Sequence, residues 1–197
     1  MTAEVKDIGV SVVVLTAAFT LLLYRYNKEA FGGSVGVIAI ASFLIVLTAF
    51  LMHEMAHRFV ARSFGGIAFF KMWLPGILLI LVTSIFGIIF AAPGAVNIGG
   101  IFRKDQIGKT ALAGPATNLG IGILLYAALF FVPLTSSTMI VYSVMYWMAG
   151  LNLWFALFNL IPIPPFDGQK IYKWDLHIYI VIVAVALVMN FLNGPFL

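Results

Sequence analysis

The chain has 197 residues, of which 63% are hydrophobic and 9% are charged, and its formal net charge is +4. Soluble domains carry about 25% charged residues, so this composition excludes a soluble enzyme and predicts an integral membrane protein. The small positive charge predicts loop residues that orient the chain in the bilayer and no nucleic-acid surface, and the lack of cysteine excludes thiolate ligands.

Six apolar segments are candidate membrane spans. In chain order they are Ile8–Tyr24, Val35–Phe64, Gly76–Ala92, Lys109–Val132, Thr138–Leu160 and Leu176–Leu192. We therefore expect an all-α polytopic membrane protein, a bundle of five to six transmembrane helices in a single domain over residues 1–197. Glu4 and Asp7 are unlike the basic start of a signal peptide, and no small-residue cleavage site follows, so residues 1–34 are expected to form an uncleaved anchor helix.

The second segment carries a chemical motif. In His53-Glu54-Met55-Ala56-His57 the two imidazoles lie four residues apart on one helix face, where they can share one Zn²⁺, and Glu54 can act as a general base toward an activated water. His53 lies about 27 Å along this segment by helical rise, near one membrane face but inside the span. The pattern predicts a hydrolytic metal site within the bilayer.

The third segment, Gly76–Ala92, decides the topology. If it crosses the bilayer, Lys and Arg divide seven to four between the two sides, with seven opposite the N-terminus. If it re-enters on the same side, the division becomes nine to two, with nine on the N-terminal side. The positive-inside rule favours re-entry and a cytoplasmic N-terminus, and the flanking Pro75 and Pro93 suit a re-entrant segment. A true crossing is the alternative.

A second embedded carboxylate, Asp167, follows the fifth segment. Three prolines before it, Pro162, Pro164 and Pro165, prevent helix continuation, and Gly168 permits a sharp turn. A catalytic zinc takes three protein ligands and keeps one open position, so Asp167 is the natural third ligand beside the histidines. The two spans must then run in the same direction, which requires that Gly76–Ala92 does not cross.

These residues resemble the signatures of a known family. HExxH in a transmembrane helix, Gly114-Pro115-Ala116-Thr117-Asn118 in a later one, and Asn159…Pro162…Asp167-Gly168 are similar to the three motifs of the site-2 proteases, the intramembrane zinc metalloproteases. The resemblance runs from about Val35 to Lys173. It defines an expected catalytic core over residues 35–173, with 174–197 as a C-terminal helix.

The resemblance implies roles for five residues. His53, His57 and Asp167 would bind one Zn²⁺ per chain, Glu54 would be the catalytic base, and Asn159 would lie near the metal and support the oxyanion or the substrate. It also implies a small membrane-associated sheet near the site, formed by Ile67–Trp73 and Gly94–Ile101. An edge of that sheet could hold an unwound substrate segment by strand addition.

The expected function is an intramembrane zinc endopeptidase that cleaves transmembrane segments of substrate proteins, with its active-site mouth on the cytoplasmic face. The alternative is a metal-ion transporter or a non-catalytic metal-binding membrane protein. A transporter needs polar residues along a path between both faces, whereas the embedded ionisable groups here form one cluster near one face.

Several polar or small residues have a plain structural interpretation. His177 at the start of the last span is expected to be an interfacial residue. Gly114 and Gly122 on the fourth span are interpreted as a close helix contact of the small-xxx-small kind. Asn118 either bonds across helices or supports the site, and Asn152 is interpreted as structural. Asn159 has structural capping as its alternative to catalysis.

Overall fold

The computed structural model describes residues 3–87, 93–101 and 103–194. Helix α1 covers Ala3–Asn27, and a single 3₁₀ turn over Lys28–Phe31 leads to α2, Val35–Ile45. A π-helical turn, Val46–Leu51, joins α2 to α3, Met52–Ser63. The remaining elements are β1 (Ile67–Met72), α4 (Leu74–Ile85), β2 (Gly94–Gly99), α5 (Lys104–Leu129), α6 (Met139–Asn159), α7 (Asp167–Trp174) and α8 (Leu176–Asn193).

Five helical stretches within the described residues are long and apolar enough to cross a membrane. They are Ala3–Phe31, Val35–Ser63, Lys104–Leu129, Met139–Asn159 and Leu176–Asn193. Large apolar side chains are exposed along them, as expected for surfaces that face lipid, whose tails replace water as the solvent. The predicted all-α bundle with a small β element is confirmed.

The motif helix is one continuous rod from Val35 to Ser63. It begins with Ser34, whose hydroxyl accepts a hydrogen bond from the Val37 amide at 3.4 Å. It ends where Gly65 adopts a positive φ of 81° and the Gly66 amide donates back to the Ala61 carbonyl at 3.0 Å. This glycine cap turns the chain directly into β1, so the sheet lies beside the end of the motif helix.

The two strands bring both ends of the third apolar segment to one place. They pair antiparallel from Ile67 opposite Gly99 to Met72 opposite Gly94, and the Trp73 amide donates to the Pro93 carbonyl at 2.9 Å. Helix α4 between them is 12 residues long, or about 18 Å, against roughly 30 Å of hydrocarbon. The chain thus leaves and rejoins the sheet at one point, as a re-entrant segment would; residues 88–92 of the predicted segment lie outside the described part.

Helix α4 lies along α1 and is held at both ends. The Asp7 carboxylate accepts from the Met72 amide at 3.2 Å just before α4, and the Arg25 guanidinium donates to the Ile85 carbonyl at 2.9 Å where α4 ends. Free carbonyls at a helix end are costly in an apolar medium, so a cation there is a favourable cap.

The bundle packs in two main apolar layers. The first joins α1, the π turn, β1 and α4 through a set of buried residues: Leu15, Phe19, Val46, Phe50, Phe70 and Ile80. The second joins α5, α6, α7 and α8 through another set: Leu119, Leu153, Ala156, Leu160, Ile171 and Ala186. A Cβ on Gly122 would overlap Leu153 at 2.6 Å, so this glycine lets α5 and α6 approach closely, as its spacing predicts.

Candidate metal centre

Three potential ligand atoms from two distant parts of the chain meet at one buried point. His53 and His57 lie on α3, and Asp167 is the first residue of α7. The two Nε2 atoms are 3.0 Å apart, and Asp167 Oδ2 lies 3.4 Å from His53 Nε2 and 3.0 Å from His57 Nε2. All three side chains are buried. The three side chains can meet in this way because the two spans that carry them run in the same direction.

The remaining ring nitrogens fix how the imidazoles face. His57 Nδ1 lies 2.7 Å from the Thr110 carbonyl oxygen, which can only accept, so this nitrogen carries the proton. His53 Nδ1 lies 2.7 Å from the Asn118 side-chain oxygen, so it also donates. In the neutral imidazoles both Nε2 atoms are then unprotonated, and they face the carboxylate oxygen.

This donor set fits a divalent cation. Two imidazole nitrogens and a carboxylate oxygen converge at 3.0–3.4 Å, an arrangement that needs a positive charge among them when the imidazoles are neutral, and a divalent cation would supply that charge. Tetrahedral zinc with ligand bonds of about 2.0–2.1 Å places its ligand atoms roughly 3.3 Å apart. The spacing and the nitrogen and oxygen ligand types therefore suit zinc.

Asp167 is held in place by the irregular segment before it. Gly168 packs against the Leu160 carbonyl so closely that a side chain there would collide with the backbone. The Asp167 carboxylate is itself buried, and its Oδ2 faces both imidazoles at 3.0–3.4 Å. Its second oxygen faces the Lys170 ammonium at 3.5 Å, so the carboxylate is available as an anionic ligand.

The Glu54 carboxylate contacts the sheet. It is half-buried on α3, and its Oε2 accepts a hydrogen bond from the Val96 amide of β2 at 2.9 Å. Val96 is opposite Phe70, whose own amide also points outward, to Glu4, so this pair exchanges no hydrogen bonds across the sheet. The candidate base thus lies at the free edge of β2, next to the histidines.

One residue of the cluster was interpreted from the sequence only as a helix contact. A Cβ built on Gly114 of α5 would lie 2.5 Å from His53 Nε2 and closer still to His57 Nε2. Gly114 therefore provides the space in which the imidazole nitrogens converge, in addition to its packing role. The signal in the sequence was the Gly114-Pro115-Ala116-Thr117-Asn118 motif, whose glycine spacing alone indicates only packing.

Two other residues that the sequence analysis considered lie outside the cluster of His53, His57 and Asp167. The Asn159 amide nitrogen donates to the Phe155 carbonyl of its own helix at 3.0 Å, a local bond, so its catalytic role stays a prediction. His177 is exposed at the start of α8, with its Nδ1 3.8 Å from Asp175, whose carboxylate caps the helix. The exposure of His177 is compatible with the interfacial position expected for it, which stays a prediction.

The fold and this donor set define a class: polytopic membrane proteins with an HExxH helix and an aspartate from a distant segment converging on one buried point. Comparison with known proteins identifies the family. The sequence profile of peptidase family M50 matches residues 134–178 of this chain. Over 91% of its length the chain is 34% identical to "Putative zinc metalloprotease MJ0611" of Methanocaldococcus jannaschii, covering 88% of that protein. The chain belongs to the M50 family of zinc metalloproteases, the site-2 proteases.

Other relatives are longer. Rip3 of Mycobacterium tuberculosis is 29% identical over 88% of this chain, which covers 42% of Rip3. Zinc metalloprotease MJ0392 of Methanocaldococcus jannaschii is 28% identical over 66% of this chain, which covers 33% of that protein. The chain thus spans most of MJ0611 but less than half of the other two. No solved structure matches the chain.

Proposed function

We propose that this protein is an intramembrane endopeptidase that hydrolyses peptide bonds in transmembrane segments of substrate proteins, as in regulated intramembrane proteolysis. The observation that carries the proposal is the meeting of His53, His57 and Asp167 inside the bundle, with Glu54 one residue from the first ligand. A hydrolytic centre at this depth has access to bonds that lie within the bilayer.

The positions of four side chains support the following roles, and the role of Asn159 rests on the family resemblance. His53 Nε2, His57 Nε2 and Asp167 Oδ2 would hold one Zn²⁺, which when bound lowers the pKa of a water and polarises the scissile carbonyl. Glu54 takes the proton from the water and passes it to the leaving amine, because it is the carboxylate beside the ligands that is not itself a ligand. Asn159 at the end of α6 supports the oxyanion or the substrate through its amide.

The sheet offers one edge to a substrate. On the outer edge of β1 the Phe70 amide donates to Glu4 at 2.9 Å and the Met72 amide donates to Asp7 at 3.2 Å, so these donors are occupied by α1 carboxylates. On β2 the outward amides alternate with the inward ones, and Val96 among them contacts Glu54. An unwound substrate that adds to β2 would compete with Glu54 for the Val96 amide, and it would lie directly beside the catalytic base.

Orientation is proposed from the re-entrant geometry. Since the third apolar segment returns to the sheet, nine of the eleven Lys and Arg residues lie on the side of the N-terminus. The positive-inside rule then places the N-terminus and the mouth of the site in the cytoplasm. Water reaches the site from that face, and the bilayer and a transmembrane protein are the partners. Cysteine accessibility at introduced N-terminal and Arg25-side positions would test this.

The function is tested with purified protein in detergent. Wild type and Glu54→Gln are expected to hold about one zinc each, following three-ligand coordination, and only wild type cleaves a model transmembrane substrate. His53→Ala, His57→Ala and Asp167→Ala should each lose the metal. Equal cleavage by Glu54→Gln would refute the base, and zinc flux into proteoliposomes without any cleavage would favour a transporter.

Strand addition has a separate test. Proline at Ile98 removes an outward amide of β2 without removing a donor to β1, and Ile98→Ala is the matched control. Loss of one hydrogen bond to the substrate should reduce kcat/KM about tenfold at unchanged zinc content. Cleavage by the proline variant at the rate of the alanine variant would argue against addition to β2.

A further inference from the structure

We propose that Asn118, Asn152 and Thr48 form a hydrogen-bond relay whose purpose is to fix the tautomer and orientation of His53, which makes Asn118 a positioning residue for the metal. The inference rests on the proposed metal site and deepens it. All three relay residues are polar groups placed among apolar spans, where an unsatisfied polar group is costly and a satisfied one generally has a function.

The orientation of the Asn118 amide is determined by a carbonyl. Its Nδ2 lies 2.9 Å from the Ala49 carbonyl oxygen, and a carbonyl can only accept. The amide nitrogen must therefore face Ala49, which turns the side-chain oxygen toward His53 Nδ1 at 2.7 Å. That oxygen can only accept, so His53 carries a proton on Nδ1, and the neutral imidazole presents an unprotonated Nε2 to the cluster.

Asn152 is fixed by the same reasoning. Its Nδ2 lies 2.8 Å from the Met148 carbonyl, so its oxygen faces outward and accepts from Asn118 Nδ2 at 3.3 Å. The same nitrogen lies 2.9 Å from the Thr48 hydroxyl, and that hydroxyl donates to the Leu44 carbonyl at 2.9 Å. Every donor of both amides has a partner, and reversing either amide would set two acceptors, or two donors, face to face.

The π-helical turn supplies two of the relay's contacts. Thr48 and Ala49 both lie in Val46–Leu51, where the helix widens and the Met52 amide bonds to the Leu47 carbonyl five residues back. The Ala49 carbonyl accepts from Asn118 in this loosened stretch, immediately before the motif. This gives a functional reason for the rare π turn at this position, since it presents a backbone acceptor across the helix interface.

His57 provides an internal comparison. Its Nδ1 donates to a backbone carbonyl, that of Thr110, which no side-chain substitution removes. His53 depends on a side chain 65 positions away in the sequence. Removing the Asn118 amide should therefore affect one imidazole and leave the other unchanged. A general loss of packing would not discriminate between the two.

The experiment uses the full chain labelled with ¹⁵N-histidine, since the chain has three histidines and each can be assigned by substitution. In zinc-free wild type, His53 and His57 are both expected to be protonated on Nδ1. In Asn118→Leu, His53 should become a mixture of tautomers while His57 keeps its signal. Zinc affinity, measured by chelator competition, should fall 10- to 100-fold, the usual effect of losing such a partner.

Three further variants separate positioning from folding. Asn118→Asp keeps an acceptor for His53 and should retain its tautomer, which is rescue by a near-isosteric side chain. Asn152→Leu removes only the second link and should give a smaller loss of zinc affinity, a few-fold. Thr117→Val is the matched control and should behave as wild type, because among the described residues the Thr117 hydroxyl bonds only to the Ala113 carbonyl of its own helix.

The outcomes are distinguishable. Unchanged His53 tautomer and zinc affinity in Asn118→Leu would overturn the relay, even if thermal stability fell. If that variant does not fold, wild-type zinc affinity in Asn152→Leu together with a changed tautomer in Asn118→Asp would overturn it instead. Wild-type protein that binds no zinc would refute the proposed metal site, which is a separate result.

Discussion

Substitution of Gly114 by alanine should disable the centre by steric overlap alone. A Cβ there would lie 2.5 Å from His53 Nε2, whereas ordinary contact begins at 3.4 Å, so the imidazole must move by about 0.9 Å. A displacement of about 1 Å in a catalytic group can reduce the rate roughly 100-fold. We therefore expect weaker zinc binding and a loss of kcat of about two orders of magnitude in Gly114→Ala, with folding largely retained.

Two other glycines of α5 are controls for this prediction. Gly120 has nothing within 4 Å of a built Cβ, so Gly120→Ala should keep full activity and gain slightly from alanine's higher helix propensity. Gly122 would overlap Leu153, so Gly122→Ala should lower thermal stability but keep zinc. Zinc content, cleavage rate and melting temperature are measured for all three. Wild-type zinc content and cleavage in Gly114→Ala would refute the reasoning.

Three further predictions concern the rest of the chain. Glu4→Ala leaves the Phe70 amide and the Arg58 guanidinium without their acceptor, and should cost about 1–3 kcal/mol in thermal or denaturant unfolding, whereas Glu4→Gln should cost less; equal stability of both variants and wild type would contradict this. His177→Ala should leave zinc content and cleavage unchanged, because the side chain is exposed at the start of α8; zinc loss would contradict the assignment of ligands. Asn159→Ala should keep zinc but lower kcat about 100-fold if its amide supports the oxyanion, and an unchanged kcat would leave it only its local helix bond.

The sequence was sufficient to name the three side chains that the structure brings together. His53 and His57 follow from the helical period, and Asp167 follows from the scarcity of embedded carboxylates and the prolines before it. The re-entry of the third apolar segment was favoured by charge counting, and the bond between Trp73 and Pro93 places both ends of that segment together. Each of these inferences depends on one local feature, which is the period of one helix, the prolines of one turn or the count of Lys and Arg residues.

What the sequence did not predict depends on contacts between elements. Whether Asn118 served packing or the site was left open, because its neighbours His53 and Ala49 come from another helix. The choice of substrate edge was equally open, since nothing in the strand sequences indicates that Glu4 and Asp7 occupy the amides of β1. Register between helices and strands decides such roles, and register is not visible in a single sequence.

The geometry of the centre reduces to two antiparallel helices with matching periods. On α5 the Thr110 carbonyl, Gly114 and Asn118 recur every four residues and so lie on one face. On α3 the histidines also lie four apart, and Thr110 bonds His57 while Asn118 bonds His53. The glycine falls between the two contacts, opposite the nitrogens that converge.

Each of these three α5 positions therefore has a distinct role. The Thr110 carbonyl accepts from His57, Gly114 leaves open space, and the Asn118 side chain accepts from His53. The same glycine that permits close packing of the helices also leaves room for the converging imidazole nitrogens, so one residue serves both the packing and the proposed metal site. A shift of α5 by one residue along α3 would place a side chain in the ion's space and remove both acceptors. The three positions therefore depend on the alignment of the two helices as a unit, and the hydrogen bonds from Asn118 to Asn152 and from Asn152 to Thr48 connect that alignment to α6 and the π turn.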